Sequence, residues 1–320
     1  MYIFFITLEA VAGLLGIGAL GYWIIGRRRV SRETLGFLST LAIDIAVPCL
    51  VLSSLLMDFK PGETRGWWHL PLWWLGFLAF SSVFSLLASL AAQVRFRREF
   101  AMSLFFQNGL FFPLTILIGL FGPRNPYLVP LFLFISLHPS LVFSSYRVFF
   151  PGAGEKPGST AARVFNPILI FTAAGLFITL ADLQEQVPVF IKTILNLVGA
   201  MALPLFMLIL GGNLFRDLKE GKKEDQAFQL AEVLKFCLAK NILLPLLALG
   251  LLILLRPPFE VALIIMIQAA VPPISAVPIL AERAGGDRGI CSQFVVGSFL
   301  CSILSIPLFL HLFSRFFPFP

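Results

Sequence analysis

Long apolar runs recur along the whole chain, and short polar connectors separate them. A helix needs about 20 apolar residues to cross the hydrocarbon core of a bilayer, and each run has roughly that length. The ten predicted segments are residues 2–26, 34–57, 67–93, 98–122, 127–149, 162–182, 187–214, 228–255, 258–284 and 289–316. The pattern therefore predicts an all-α integral membrane protein with ten transmembrane helices.

The two halves of the chain share landmarks. AVPCL in segment 2 resembles ALPLF in segment 7, and FFQNGLFFPLT in segment 4 takes the place of IQAAVPPIS in segment 9. A division near residue 155 leaves five segments on each side, so the halves must cross the membrane in opposite orientations. We expect two inverted five-helix repeats, residues 1–150 and residues 160–320.

Segments 4 and 9 carry helix breakers near their middle. Asn108, Gly109 and Pro113 interrupt the first, and Pro272 and Pro273 interrupt the second. Proline in a membrane helix often causes only a kink, and that reading stays open. Matched breaks in inverted repeats favour a secondary transporter instead, in which segments 4 and 9 cross at the binding site. The half-helix amino ends exposed there would favour an anion.

Composition and charge agree with a membrane location. Of the 320 residues, 58% are hydrophobic and 13% are charged, which is too little charge to cover a soluble domain of this length. Connectors after odd-numbered segments hold sixteen Lys and Arg residues against six on the other side. The excess predicts cytoplasmic odd connectors, with both termini outside the plasma membrane. The net charge of +7 reflects this orientation, so we expect no nucleic-acid partner.

Polar side chains beside the breaks are the candidate ligands. The amide of Asn108 could bind a substrate carboxylate or satisfy the freed backbone of the broken helix. Gln107 is its neighbour, and Gln268 lies one turn before Pro272. Ser275 is either a helix cap or a donor to the ligand. The four cysteines have no metal-site or disulfide spacing, and no cofactor or metal is expected.

Three ionisable residues are further candidates. Lys240 lies inside segment 8, where an intramembrane charge favours a functional role, although a lysine can also reach the interface by snorkelling. Asp44 is the carboxylate inside the apolar run of segment 2. It could carry a coupling proton, pair with a lysine or stabilise the bundle. Asp58, at the end of the same segment, could support such a pair or be a surface charge.

Several stretches resemble the auxin efflux carrier family, which includes plant auxin exporters and bacterial malate or malonate carriers. The most specific is PPISAVPILAERAGGDRGICSQFVVGSFLCSILSIPLFLHLF at residues 272–313, which is similar to the closing region of that family. QNGLFFP at residues 107–113 resembles its segment-4 crossover, and AKNILLPLLALGL at residues 239–251 resembles its eighth helix. The resemblance covers essentially the whole chain.

The resemblance implies a two-part architecture. Segments 1, 2, 6 and 7 would form a scaffold that dimerises, here through segments 2 and 7, and segments 3–5 and 8–10 would form a transport domain. The substrate would be a small organic anion carried by an elevator motion through the lipid bilayer. The alternative is a sodium- or proton-coupled transporter of the related bile-acid symporter and antiporter folds. Catalytic patterns of membrane-embedded enzymes, such as H-E-x-x-H or G-x-S-x-G, do not occur in the sequence.

Overall fold

The computed structural model of the chain describes residues 2–28, 31–62, 66–122, 125–138, 141, 145–150, 167–221 and 228–319. Within these ranges every regular element is a helix, which agrees with an all-α membrane protein. The predicted division near residue 155 and the start of segment 6, residues 162–166, lie outside the described residues.

Fifteen α-helices are described. In chain order they are α1 (Tyr2–Arg28), α2 (Arg32–Thr40), α3 (Val47–Asp58), α4 (Leu70–Ala91), α5 (Arg97–Phe105), α6 (Phe111–Phe121), α7 (Leu128–Phe134), α8 (Pro167–Leu180), α9 (Val189–Ala200), α10 (Ala202–Gly221), α11 (Leu230–Cys237), α12 (Leu244–Leu255), α13 (Phe259–Ala270), α14 (Val277–Arg283) and α15 (Arg288–Phe313). Short 3₁₀ turns precede α4 (Trp67–His69) and follow α7 (Tyr146–Phe149). Each of the ten predicted segments contains at least one of these helices.

Six helical stretches in the described part of the chain are long and apolar enough to cross a membrane. They are Ile3–Arg27, Glu33–Asp58, Trp67–Ala91, Val189–Asn213, Leu230–Leu255 and Arg288–Phe313. Three shorter apolar helices are Phe111–Phe121, Pro167–Leu180 and Phe259–Ala270. The chain is therefore a multi-pass membrane protein, because several such helices occur in one polypeptide. The number ten stays a prediction.

Two of the long helices contain a π-helical turn just before a proline. Leu41–Ala46 joins α2 to α3 ahead of Pro48, and Leu238–Leu243 joins α11 to α12 ahead of Pro245. A proline has no N–H, and its ring crowds the carbonyl four residues earlier. The preceding N–H groups bond five residues back instead, from Val47 to Ala42 and from Leu244 to Ala239. These wider turns carry Asp44 and Lys240.

Packing divides most of the helices into two groups. The first group is α1–α3 with α8–α10, where glycines let the backbones of α1 and α10 approach closely. A Cβ added to Gly211 would overlap the carbonyl oxygen of Gly18. The second group is α4, α5, α7 and α11–α15. Its α5, α11 and α15 meet at Phe100, Phe236 and Phe294, whose ring centroids lie 4.6–5.8 Å apart. Helix α6 contacts both groups.

The structure differs from the sequence prediction in segments 5 and 7. Segment 5 was expected to be one helix over residues 127–149, yet α7 ends at Phe134 and a turn follows. Pro139, itself outside the described residues, accounts for this, because its ring would crowd the carbonyl of Ile135 in a continuing helix. Segment 7 is interrupted at Met201, again just ahead of a proline, Pro204.

Candidate functional site

The structure contains both predicted helix breaks. In segment 4 the chain leaves helical conformation at residues 106–110, between α5 and α6. In segment 9 it does so at residues 271–276, between α13 and α14. Pro113 falls at the third residue of α6, where a missing N–H costs nothing because the first four N–H groups of a helix have no intrahelical partner. The breaker residues thus end one half-helix and permit the next.

The two breaks pair with each other through their backbones. The N–H of Asn108 donates to the carbonyl of Pro272 at 2.8 Å, and the N–H of Ile274 donates to the carbonyl of Phe106 at 2.9 Å. Gln107 and Pro273 form the centre of this isolated antiparallel bridge. Each break therefore satisfies backbone groups that the other left open, which non-helical backbone at membrane depth requires. We call this pairing the crossover.

Two side-chain amides fix the crossover further. The Nε2 of Gln268 donates to the carbonyl of Gly109 at 2.7 Å, and Gln268 is 2% exposed. The Oδ1 of Asn108 accepts from the N–H of Phe111 at 3.3 Å. Asn108 thus satisfies the first turn of α6, which is one of the two roles expected from its position. Because its Oδ1 is engaged in this bond, the amide nitrogen of Asn108 is the atom that would donate to a ligand.

Gln107, also in the crossover, has a side-chain oxygen that accepts no hydrogen bond from the described residues. The residue is 3% exposed, and its Oε1 has no hydrogen-bond partner among the described residues. A buried polar atom without a partner costs free energy, so such an atom calls for an explanation in a folded protein. Adjacent helical residues point apart, but the chain is not helical here, and both Gln107 and Asn108 are buried.

A cavity of about 260 Å³ lies beside the second break. Its walls come from α1 and α10 on one side and from α15 on the other, with Ser275 reaching it from the break in segment 9. Most of the lining is apolar, and the polar groups are those of Ser275, Tyr22, Asn213 and Ser292. Ligand pockets begin at about 300 Å³, so a cavity of nearly this size with a few polar groups suits a small organic ligand.

Lys240 is fully buried inside segment 8. Its exposure is 0%, and its Nζ has no hydrogen-bond partner among the described residues. The π-helical turn that carries it packs against α13 and α15. The side chain of Lys240 therefore does not extend to the membrane interface by snorkelling. The neighbouring Asn241, in contrast, bonds to α15 through Ser298, with its Nδ2 at 3.1 Å from the Ser298 carbonyl and its Oδ1 at 2.9 Å from the Ser298 hydroxyl.

The two candidate carboxylates do not join the crossover. Asp44 is exposed, and its π-helical turn packs against α8, α9 and α10, the first group of helices. Asp58 is exposed at the end of α3 and takes part in a polar interaction there. If Asp44 or Asp58 has a role in transport, it acts from outside the crossover.

His138 is a crossover residue that the sequence ranked below the other ionisable candidates. Its imidazole interacts with the backbone of Gln107, and its Nε2 lies 3.2 Å from where a Cβ on Gly109 would stand. The ring also meets Trp74 of α4 edge-on, with centroids 6.2 Å apart. The signal in the sequence is the dipeptide His138-Pro139 inside an apolar run, which marks a further interrupted helix.

Comparison with known families gives one assignment. The family described as membrane transport protein matches residues 6–156 and 159–310, which is nearly the whole chain. No curated protein shows a significant match to it. The match agrees with the resemblance found in the sequence, since this family is the auxin efflux carrier family. The chain therefore belongs to the auxin efflux carrier family of membrane transport proteins, whose members are transporters, and is a membrane transporter.

Proposed function

We propose that the protein is a secondary transporter of a small organic anion, a carboxylate such as malate, malonate or an auxin-like acid. The observation that carries the proposal is the crossover, in which the backbones of two broken helices pair through Asn108 and Ile274. Such paired breaks place buried amide groups and the amino end of α6 at one point. Amide donors and a helix amino end both favour a carboxylate.

The ligand set is proposed around that point. Asn108, Gln107 and Gln268 contribute amides, and Ser275 contributes a hydroxyl on the cavity side. Pro113, Pro272 and Pro273 shape the breaks rather than bind through a polar side chain. Lys240 would add a cation from the buried turn that packs on α13 and α15, where its attraction for an anion is little screened.

The proposed topology is ten spans in two inverted repeats, residues 1–150 and residues 160–320, with both termini outside the plasma membrane. Segments 1, 2, 6 and 7 form the scaffold, and segments 3–5 and 8–10 form the transport domain. The packing groups described above support this division, because nearly all helices of each unit pack within one group. The scaffold would dimerise through segments 2 and 7 within the lipid bilayer, and nucleic acid would have no part.

An elevator motion would move the transport domain past the scaffold. The cavity supports this mechanism, since it lies between α1 and α10 of the scaffold and α15 of the transport domain. Asp44 lies on the scaffold side, and we propose that it carries a coupling proton or supports the site, with Asp58 in a lesser supporting role.

Uptake by purified protein in liposomes tests the proposal. Radiolabelled malate, malonate and indole-acetate would be offered with and without a pH gradient, and in parallel with a sodium gradient. Asn108→Ser keeps an oxygen for the N–H of Phe111 and removes the amide donors, so it separates ligand binding from helix capping. Gln186→Ala, at an exposed amide between α8 and α9, is the matched control.

We expect saturable uptake of at least one anion that Asn108→Ser lowers and Gln186→Ala leaves unchanged. Acceleration by a pH gradient that Asp44→Asn abolishes would support proton coupling through that carboxylate, with Asp58→Asn as the comparison. Acceleration by sodium alone would instead favour the bile-acid-symporter-like alternative. Absence of uptake of every anion by folded protein would contradict the proposed substrate class.

A further inference from the structure

The crossover is held from a third interrupted helix as well as from the two that cross. Segment 5 ends its helix at Phe134 and turns, and His138 stands at the end of that turn. Chain connectivity alone does not require this side chain to point toward segment 4. Its imidazole nevertheless reaches the backbone of Gln107 and the face of Gly109.

Two described neighbours lie close to the partly buried ring of His138. On one side its Nε2 and Cδ2 lie 3.2 and 3.3 Å from where a Cβ on Gly109 would stand, which only a glycine tolerates without a shift. On another side the ring meets Trp74, itself 4% exposed, with centroids 6.2 Å apart. Gln268 approaches Gly109 equally closely, with its Oε1 at 3.2 Å from the same Cβ position.

The backbone that His138 touches is the tightest turn of the crossover. The N–H of Gly109 donates to the carbonyl of Gln107 at 2.8 Å, two residues back, and the N–H between them reaches across to Pro272. A three-residue turn of this kind has no helix or sheet around it to fix its dihedral angles. Outside contacts must therefore keep the amide of Asn108 aimed at the binding point.

We infer that His138 is a positioning residue of the anion site: its imidazole holds the turn at residues 107–109 against segment 9 and so sets the affinity for the transported anion. The inference rests on the proposed function for its effect on affinity. The mechanical part, that the imidazole holds the turn, stands on the contacts alone. His138 acts through Gln107 and Gly109 and needs no contact with the substrate.

Three variants separate the roles of the ring. His138→Leu removes the polar atoms, and His138→Gln restores a donor of similar reach. Gly109→Ala keeps the histidine but presses on its ring and equally on the Oε1 of Gln268, each of which must move by a few tenths of an ångström, so it tests the turn as a whole. His69→Leu, at an exposed histidine beside α4, is the matched control.

Uptake kinetics in liposomes give the first readout. We expect His138→Leu and Gly109→Ala to raise the half-saturation concentration about tenfold, the equivalent of ~1.4 kcal/mol, with the maximal rate within about twofold of wild type. His138→Gln should recover most of the affinity. An unchanged half-saturation concentration in His138→Leu, in a protein whose uptake Asn108→Ser lowers, would overturn the inference while the proposed function stood.

Hydrogen exchange gives a readout that needs no substrate. The N–H groups of Asn108 and Ile274 are bonded across the crossover, so peptides that contain them should exchange faster in His138→Leu, while peptides of α1 stay as in wild type. If no anion were transported at all, the proposed function would fail and this measurement would still decide whether His138 holds the turn. Equal exchange in wild type and His138→Leu would overturn it. Faster exchange everywhere would do the same, because it would mean a general loss of stability.

Discussion

Replacing Lys240 by methionine should make the protein more stable and less active. The Nζ of Lys240 is buried with no hydrogen-bond partner among the described residues, in a turn that packs on α13 and α15. An ion taken out of water without a partner costs several kcal/mol even after the protein relaxes. Methionine has a similar length, fills irregular space well and carries no such penalty.

The expected gain in the free energy of unfolding is about 1–4 kcal/mol, by analogy with the range found when buried ion pairs are replaced by apolar residues. In a thermal unfolding experiment this corresponds to roughly 2–4 °C per kcal/mol. Under the proposed function the same variant should lower anion uptake at least about tenfold, since a tenfold change needs only ~1.4 kcal/mol of lost attraction. The two effects have opposite signs, which distinguishes a functional charge from a structural one.

Lys235→Met is the matched control on the same helical span. Lys235 is partly exposed and pairs with Glu232 at 3.2 Å, and pairs of that kind contribute about 0–1 kcal/mol. We expect its unfolding temperature and uptake to stay close to wild type. A Lys240→Met protein that unfolds at a lower temperature than wild type, yet transports normally, would refute the reasoning, because the lysine would then stabilise the fold.

Two further predictions concern packing. Gly211→Ala should lower the free energy of unfolding by several kcal/mol, because the new Cβ overlaps the carbonyl of Gly18 where α1 and α10 meet. Gly13→Ala, which has open space around it on α1, should raise the free energy of unfolding by about 0.8–1.0 kcal/mol. Thermal unfolding of both variants tests this prediction. Asn241→Leu should cost about 1–3 kcal/mol by leaving the buried Ser298 hydroxyl without its acceptor. A double-mutant cycle with Ser298→Ala measures the coupling, and additive effects would contradict the hydrogen bond.

The sequence was informative where a single residue type dictates local backbone. Tandem prolines and the Asn-Gly pair break a helix wherever they fall, so the two interruptions near Asn108 and Pro272 could be predicted without a structure. Single prolines are less informative: Pro139 and Pro204 follow the ends of α7 and α9, whereas Pro307 lies inside α15. Pro139 and Pro204 lie in runs whose hydrophobicity alone looks continuous.

Features that depend on three-dimensional packing could not be predicted from the sequence. The sequence could not distinguish a snorkelling Lys240 from a buried one, because the choice depends on how α13 and α15 cover it. It also could not bring His138 to Gly109, residues on different segments with no shared pattern. For Asn108 both roles were open, and the capping bond to Phe111 became visible only from coordinates.

The crossover has a consequence for how the protein is made. Gly109 and Gln268, which bond within it, are 159 residues apart in the chain. At a synthesis rate of about 5–20 residues per second, segment 4 would wait roughly 10–30 seconds for its partner to leave the ribosome. During that interval the N–H of Asn108 and the carbonyl of Phe106 have nothing from segment 9 to bond to. The nascent first half must therefore keep these groups in contact with water or with the insertion machinery until the second half arrives.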